Sequence, residues 1–221
     1  MSQKVCAIVG VGKGLGLAIA QRFGQEGYAI AMLARRAEAL TTYQAELEQQ
    51  GIAAQGFSVD VADSTALSQA FEQIAQTMGA PEVLVYNAAV MKESDPLTIP
   101  NDEFVTEFKV TVAGALTSIQ QVAPAMKSQG RGTILLTGGA LAYDEYSFPP
   151  YVSLAVGKAG IRKLCFVMAN ALAPDNIHVA TVTVCGTIQP ETHFAPDKIA
   201  EVYWQLHTQP KADWKTEYVY R

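Results

Sequence analysis

The glycines near the start of the chain have the spacing of a phosphate-binding loop. Gly10, Gly12, Gly14 and Gly16 stand at alternate positions, after the apolar run of residues 5–9 and before apolar residues at helical spacing. Such a strand, loop and helix let the backbone approach a pyrophosphate closely, and the unpaired N–H groups at the helix start favour negative charge. The stretch therefore predicts that the chain binds a dinucleotide. The alternative is a purely structural turn, because glycines also serve in tight turns and helix caps.

This first strand opens a repeated alternation of apolar strands and helical segments. Further strands are expected at residues 28–33, 53–59, 82–86, 132–137, 177–184 and 216–220. Further helices are expected at residues 37–50, 64–78, 101–127, 151–173 and 199–206. The pattern predicts one α/β domain, residues 1–221, with a Rossmann-like doubly wound parallel β-sheet and helices on both faces.

Composition and charge exclude several other classes of protein. The net charge is −5 and the basic residues are dispersed, so no nucleic-acid-binding surface is expected. No apolar run approaches the ~20 residues of a membrane span, and no export signal precedes the first strand. The chain has an odd number of cysteines, and all of them lie in apolar segments: Cys6, Cys165 and Cys185. We therefore expect buried, reduced thiols, and a soluble cytoplasmic protein. The three histidines share no metal-ligand spacing with each other or with the cysteines, so no metal site is expected.

The glycine spacing reads GxxxGxG through Gly10, Gly14 and Gly16, because Leu15 occupies the place of the last glycine in GxGxxG. Together with the order of strands and helices, this resembles the short-chain dehydrogenase/reductase family, whose members bind NAD(H) or NADP(H) on a Rossmann sheet. The resemblance implies a small-molecule substrate and a homodimer or homotetramer paired through long helices. It also implies that residues 186–221 contact substrate or another subunit.

The resemblance further implies which residues contact the coenzyme. They are Gly10, Gly12, Lys13, Gly14, Leu15, Gly16, Arg35, Arg36, Asp60, Val61, Asn87, Ala88, Lys158, Gly186 and Ile188. The segment from Asp60 to Asp63 resembles the DVxD segment beside the adenine, although Asp63 or Ser64 can equally be the N-cap of the next helix. Asn87 begins NAA in place of the usual NAG, and we expect it to bond backbone groups rather than to react.

Basic residues at the end of the second strand bear on the choice of coenzyme. An NAD site usually has an acidic residue there, which holds the ribose 2′-hydroxyl, but this position is Ala34 and Arg35 and Arg36 follow. Guanidinium groups bind a 2′-phosphate well, so these arginines and Lys13 favour NADP(H) over NAD(H). The alternative is that the arginines are solvated residues of the first helical turn.

Three of the four catalytic positions of the family are changed. The family uses a tyrosine as general acid, a lysine four residues later on the same helix face, a serine and an asparagine. Lys158 matches the lysine, whereas Leu154, Gly139 and Thr111 stand where the tyrosine, serine and asparagine are expected. Lys158 is therefore the only catalytic residue that the resemblance carries over, and its alternative role is that of a surface lysine.

No neighbouring residue replaces the tyrosine convincingly. Tyr151 lies seven residues before Lys158, about 10 Å along the helix axis, which is a full turn too far. Ser153 lies on another face and is a poor acid. Tyr143 and Tyr146 lie in a loop whose path the sequence does not determine. His193 begins the short segment before the last helix, and by its reach alone it is a candidate proton donor to the substrate.

Two functions are compatible with these residues. The first is an NADP(H)-dependent oxidoreductase that transfers hydride to or from a carbonyl or alcohol with an unconventional proton donor. The second is a noncatalytic NADP(H)-binding sensor or partner subunit. We favour the oxidoreductase, because a site that keeps its coenzyme contacts can still permit hydride transfer to activated substrates.

Overall fold

The computed structural model describes residues 3–221. In these residues the strands are β1 (Val5–Val9), β2 (Ala29–Ala34), β3 (Ala54–Ser58), β4 (Val83–Tyr86), β5 (Gly132–Gly139), β6 (Ile177–Val184) and β7 (Glu217–Tyr220). The helices are α1 (Leu15–Gln25), α2 (Ala37–Gln49), α3 (Ser64–Thr77), α4 (Asn101–Phe108), α5 (Gly114–Gln129), α6 (Val152–Leu172) and α7 (Pro196–His207). A π-helical segment, Lys109–Ala113, joins α4 to α5.

All strand pairs within residues 3–221 are parallel, and the strand order is β3-β2-β1-β4-β5-β6-β7. Strands β2 and β3 lie on one side of β1, whereas β4 and the later strands lie on the other side. The strand order therefore reverses between β1 and β4, which are neighbours in the sheet. Val9 pairs with both Leu33 and Tyr86, so the carboxyl ends of three central strands lie side by side. Ligands of such sheets bind in the crevice outside this reversal point. The predicted single-domain, doubly wound Rossmann-like sheet is confirmed.

Both faces of the sheet are covered by helices. On β1, Cys6 and Ile8 pack toward α1, α2 and α7, whereas Val5, Ala7 and Val9 pack toward α3, α5 and α6. All five residues are buried, as expected for a central strand of a parallel sheet. No helix within residues 3–221 is both long enough and apolar enough to cross a bilayer.

The predicted elements are present, and three of the differences in their bounds have local reasons. The helix expected at residues 101–127 contains the π-helical segment, in which three consecutive β-branched residues, 110–112, lower the preference for α-helix. Strand β5 continues through Gly138 and Gly139, which pair with Thr183 and Val184 of β6. Helix α7 begins at Pro196, because proline is well suited to the first turn of a helix.

Candidate functional site

The four glycines of the first loop play two different structural roles. Gly10 has φ +88°, and a Cβ on it would lie 2.5 Å from the backbone nitrogen of Ala88. A Cβ on Gly16 would lie 2.9 Å from the carbonyl oxygen of Gly10. Gly12 and Gly14, in contrast, have no atom within 4 Å of the Cβ position. Two glycines therefore allow close packing, and the other two leave an open cradle that side chains would fill.

The start of α1 lies directly beside this cradle. Gly14 is its N-cap residue and supplies no side-chain hydrogen bond, and the first turn contains no acidic residue. The Leu17 N–H donates to the carbonyl oxygen of Gly12 at 3.0 Å, so the N–H groups of Leu15 and Gly16 and the positive dipole end of the helix are the part that an anion can use. A cavity of about 470 Å³ borders Lys13 and Gly14 on the side of α7. The backbone geometry fits a pyrophosphate.

A buried chain of hydrogen bonds supports the glycine loop from below. Asn87 Nδ2 donates to the carbonyl oxygen of Gly10 at 2.9 Å, and Thr137 Oγ1 donates to Asn87 Oδ1 at 2.9 Å. Because the Thr137 hydroxyl has a single hydrogen, the Tyr203 hydroxyl must be the donor in its 2.7 Å bond to Thr137 Oγ1. The direction of the chain, from α7 through β5 to the glycine loop, is therefore determined.

The basic and acidic residues at the ends of β2 and β3 lie at the same edge of the sheet. Arg35 and Arg36 are exposed, and neither takes part in an ion pair within residues 3–221. Asp60 Oδ1 accepts a hydrogen bond from the backbone of Ala62 at 3.0 Å. Asp63 is the N-cap of α3 and accepts two backbone hydrogen bonds. Asp63 therefore caps helix α3, which is one of the two roles expected for it.

Lys158 lies on α6 and is buried, with 9% of its surface exposed. Its Nζ donates to the carbonyl oxygen of Thr137 at 2.7 Å. Burial disfavours the charged ammonium and lowers the pKa of Lys158 to about 8. Lys158 is therefore not a surface lysine, and its ammonium loses its proton more readily than that of an exposed lysine.

The three changed catalytic positions surround this lysine. A Cβ on Gly139 would lie 3.5 Å from Lys158 Cε, so the strand passes directly beside the lysine stem. A Cβ on Gly157 would lie 2.9 Å from Thr111 Cγ2, which places the buried Thr111 against α6. Leu154 is buried one helical turn before Lys158. The positions matched to the family thus lie together, but Leu154 and Gly139 have no acidic proton to offer.

Two of the three tyrosines considered as proton donors, and the histidine, have other hydrogen-bond partners. The Tyr143 hydroxyl donates to Glu217 Oε1 at 2.9 Å, and the Tyr151 hydroxyl donates to Glu93 Oε1 at 2.7 Å. His193 Nε2 lies 2.6 Å from a backbone carbonyl after β7. The two tyrosines fix the loops after β4 and β5. Within residues 3–221, no three His, Cys, Asp or Glu side chains converge into a metal site.

Glu107 is a buried residue that sequence reasoning missed. It lies on α4 one turn before Thr111, and 6% of its surface is exposed. Its signal was its spacing of four residues from Thr111, the position matched to the family asparagine.

Comparison with known sequences gives a consistent result over most of the chain. The family profile described as short chain dehydrogenase matches residues 4–198. The chain is 27% identical over 198 residues to the 3-oxoacyl-[acyl-carrier-protein] reductase FabG of Thermotoga maritima, covering 90% of this chain and 80% of the relative. It is 28% identical over 209 residues to the oxidoreductase asL5 of Sarocladium schorii, covering 95% and 81%.

Solved structures agree with these sequence matches. A short-chain dehydrogenase from Rhodopseudomonas palustris has a TM-score of 0.89 at 26% identity, covering 99% of this chain and 98% of that one. A metagenomic short-chain oxidoreductase in complex with NADP has a TM-score of 0.90 at 25% identity, covering 99% and 97%. With its sheet order, glycine loop and buried helix lysine, the chain belongs to the short-chain dehydrogenase/reductase family.

Proposed function

We propose that this protein is an NADP(H)-dependent oxidoreductase that transfers hydride between the coenzyme and a carbonyl or alcohol. The observation that carries the proposal is the open glycine cradle at the start of α1, at the same edge of the sheet as the buried Lys158. The bound nicotinamide supplies or accepts the hydride. Because no tyrosine lies in the family position, the proton donor is unconventional.

The proposed coenzyme contacts follow the edge of the sheet. Gly12, Lys13 and Gly14 hold the pyrophosphate, together with Leu15 and Gly16 at the start of α1. Lys158 holds the nicotinamide ribose. The remaining contacts are the adenine side at Asp60 and Val61, the turn at Asn87 and Ala88, and the nicotinamide side at Gly186 and Ile188. We propose that residues 186–221 complete the substrate side, and that the free thiols reflect a reducing, cytoplasmic location.

The experiment that tests this proposal is a titration of the purified protein with NADPH, followed by assays of NADPH consumption with a broad panel of carbonyl compounds. Saturable binding with turnover on one carbonyl class is the expected result. Binding without turnover on any substrate would instead favour the noncatalytic sensor or partner subunit, which the changed residues Leu154, Gly139 and Thr111 also permit.

Arg35 and Arg36 are proposed to select NADP(H) by binding its 2′-phosphate. Replacing both with alanine is expected to weaken NADPH binding by about 10- to 100-fold, because charge-assisted hydrogen bonds contribute about 1.5–3 kcal/mol. NADH binding should change little. Calorimetric titration of each coenzyme checks this, and Arg131→Ala, an exposed arginine at the opposite edge of the sheet, is the control. An unchanged ratio of the two affinities would mean that both arginines are merely solvated.

An exposed apolar face on α4 and α6 is proposed to pair with a second copy of the chain. Its members are Val105, Phe108, Val156, Phe166 and Val167. Water contact with this many large side chains is unfavourable, and relatives of this fold commonly form oligomers. Val105→Asp is expected to reduce the dimer or tetramer to a monomer in light-scattering measurements. Leu97→Asp, in an exposed loop, is the control and should leave the mass unchanged. A monomeric wild-type protein would contradict this proposal.

A further inference from the structure

The Glu217 carboxylate, on β7, joins three other elements of the fold. The Arg162 guanidinium of α6 donates to both of its oxygens, at 2.8, 3.0 and 3.1 Å. The Tyr143 hydroxyl, in the loop after β5, donates to Oε1 at 2.9 Å, and the Thr183 hydroxyl of β6 donates to the same oxygen at 2.7 Å. Only 11% of the Glu217 side chain is exposed. These four residues form the Glu217 cluster.

The charges within the Glu217 cluster compensate each other. Burial raises the pKa of Glu217, but the hydrogen bonds from Arg162, Thr183 and Tyr143 lower it more, so the carboxylate is ionised at neutral pH. The guanidinium also lies 5.1 Å from the centroid of the Tyr143 ring and 5.1 Å from that of the Phe166 ring. Two-pronged pairing and ring contacts both favour one orientation of the side chains. The cluster therefore has a defined geometry, unlike an ion pair between two solvated side chains.

Two members of the cluster follow residues of the proposed site closely. Tyr143 comes shortly after Gly139, through a turn in which its N–H donates to the carbonyl oxygen of Ala140 at 2.9 Å. Arg162 comes about one helical turn after Lys158 on α6. A Cβ on Gly139 would lie 3.5 Å from Lys158 Cε, so these two positions are adjacent. The Glu217 carboxylate thus holds together the two elements that carry them.

The loop after β5, residues 140–150, contains no buried residue that would hold it in place. Its last part is bonded to the loop after β4, because the Ser94 N–H donates to the carbonyl oxygen of Pro150 at 2.8 Å. Pro149 and Pro150 line a cavity of about 400 Å³ together with residues 93–96 of that other loop. Within residues 140–150, the bond from Tyr143 to Glu217 is the only side-chain hydrogen bond to another element of the described chain. The first part of the loop therefore depends on Glu217 for its position at the carboxyl edge of the sheet.

We propose that Glu217 is a positioning residue for hydride transfer, and that it holds the loop after β5 where this loop orients the substrate. The inference rests on the proposed function, because it concerns the geometry of that reaction. Helix α6 keeps its own core contacts through Ile161 and Cys165, so loss of the carboxylate should move the loop and not the helix. A misplacement of about 1 Å can cost about 100-fold in rate. The effect should therefore fall on the reaction with substrate, while coenzyme affinity is preserved.

The test compares Glu217→Gln and Tyr143→Phe with the control Glu82→Gln. Tyr143→Phe removes one hydroxyl and keeps the ion pair of the cluster, so it tests the inference even if Glu217→Gln does not fold. Glu82 pairs with Arg131 at 3.0 Å at the opposite edge of the sheet, so its variant also loses a carboxylate–arginine pair. With NADPH and the best carbonyl substrate of the panel, both cluster variants are expected to lower kcat/KM by about 10- to 100-fold. Their Kd for NADPH should stay within about threefold of the wild-type value, and Glu82→Gln should match the wild type in both constants.

Two further measurements separate positioning from a purely structural role. Hydrogen exchange of residues 140–150 should be faster in both cluster variants than in Glu82→Gln. The double variant Glu217→Gln/Tyr143→Phe should have the same kcat/KM as Glu217→Gln within about twofold, because both changes break one bond. Wild-type kcat/KM in the cluster variants, additive losses in the double variant or unchanged exchange of the loop would each overturn the inference and leave the proposed function standing. A wild-type protein that binds no NADPH, or reduces no carbonyl compound, would overturn both.

Discussion

Gly10→Ala is expected to abolish NADPH binding and to lower the free energy of unfolding by about 3 kcal/mol. The backbone of Gly10 has φ +88°, which side chains rarely adopt, and the new Cβ would lie 2.5 Å from the nitrogen of Ala88. The glycine loop must then move, and Asn87 loses its bond to the Gly10 carbonyl. Chemical denaturation and a fluorescence titration with NADPH measure the two effects.

Gly12→Ala separates coenzyme binding from folding. No atom lies within 4 Å of this Cβ position, so the free energy of unfolding should stay within about 0.5 kcal/mol of the wild-type value. The methyl group nevertheless projects into the open cradle, and NADPH binding is expected to weaken by at least about 10-fold. Wild-type affinity in both glycine variants would refute a phosphate-binding role for this loop.

Lys158→Met is expected to weaken coenzyme binding and to remove a pH dependence of stability. Lysine ordinarily titrates near 10.5, whereas burial lowers the pKa of Lys158 to about 8. Between these values the unfolded chain holds a proton that the folded protein has released, so stability rises with pH. The cost of burying the ammonium is fully present below pH 8 and is relieved toward pH 10.5.

The difference between wild-type and Lys158→Met stability should change by roughly 3 kcal/mol across that window. Urea denaturation at several pH values measures it, and Lys163→Met, an exposed lysine on the same helix, should show no such change. In parallel, NADPH affinity should fall by at least about 10-fold in Lys158→Met only, through loss of the ribose contact. If the stability difference between the two proteins did not change with pH, Lys158 would be charged and solvated in the folded protein.

The parts of the structure that depend on local pattern were predictable from the sequence. Apolar runs such as residues 5–9 specify buried parallel strands, and the glycine spacing specifies the loop after β1. Other features depend on contacts between distant residues. Thr111 of the π-helical segment packs against Gly157 of α6, and no periodicity reveals such a contact. The coenzyme preference implied by Arg35 stays a prediction.

In the functional site, too, some features follow from the order of elements and others depend on how the elements pack. The approach of Gly139 to Lys158 follows from the order of elements, because β5 and α6 are consecutive in the chain, while the match of Leu154, Gly139 and Lys158 to the family positions stays a prediction. The burial of Glu107 and the hydrogen bond of Lys158 to a strand carbonyl depend on how α4, α6 and β5 pack. Likewise, only the fold shows that the Tyr143 and Tyr151 hydroxyls are occupied by carboxylates.

Thr137 is shared by both halves of the proposed coenzyme site. Its backbone carbonyl oxygen accepts a hydrogen bond from the Lys158 ammonium. Its hydroxyl accepts from Tyr203 and donates to Asn87, which in turn bonds the glycine loop. A substitution here removes the hydroxyl link to Asn87 but keeps the backbone carbonyl that Lys158 uses, so the glycine loop should lose its support first. Directed evolution of a new specificity should therefore leave residue 137 fixed and draw its diversity from the loops above the sheet.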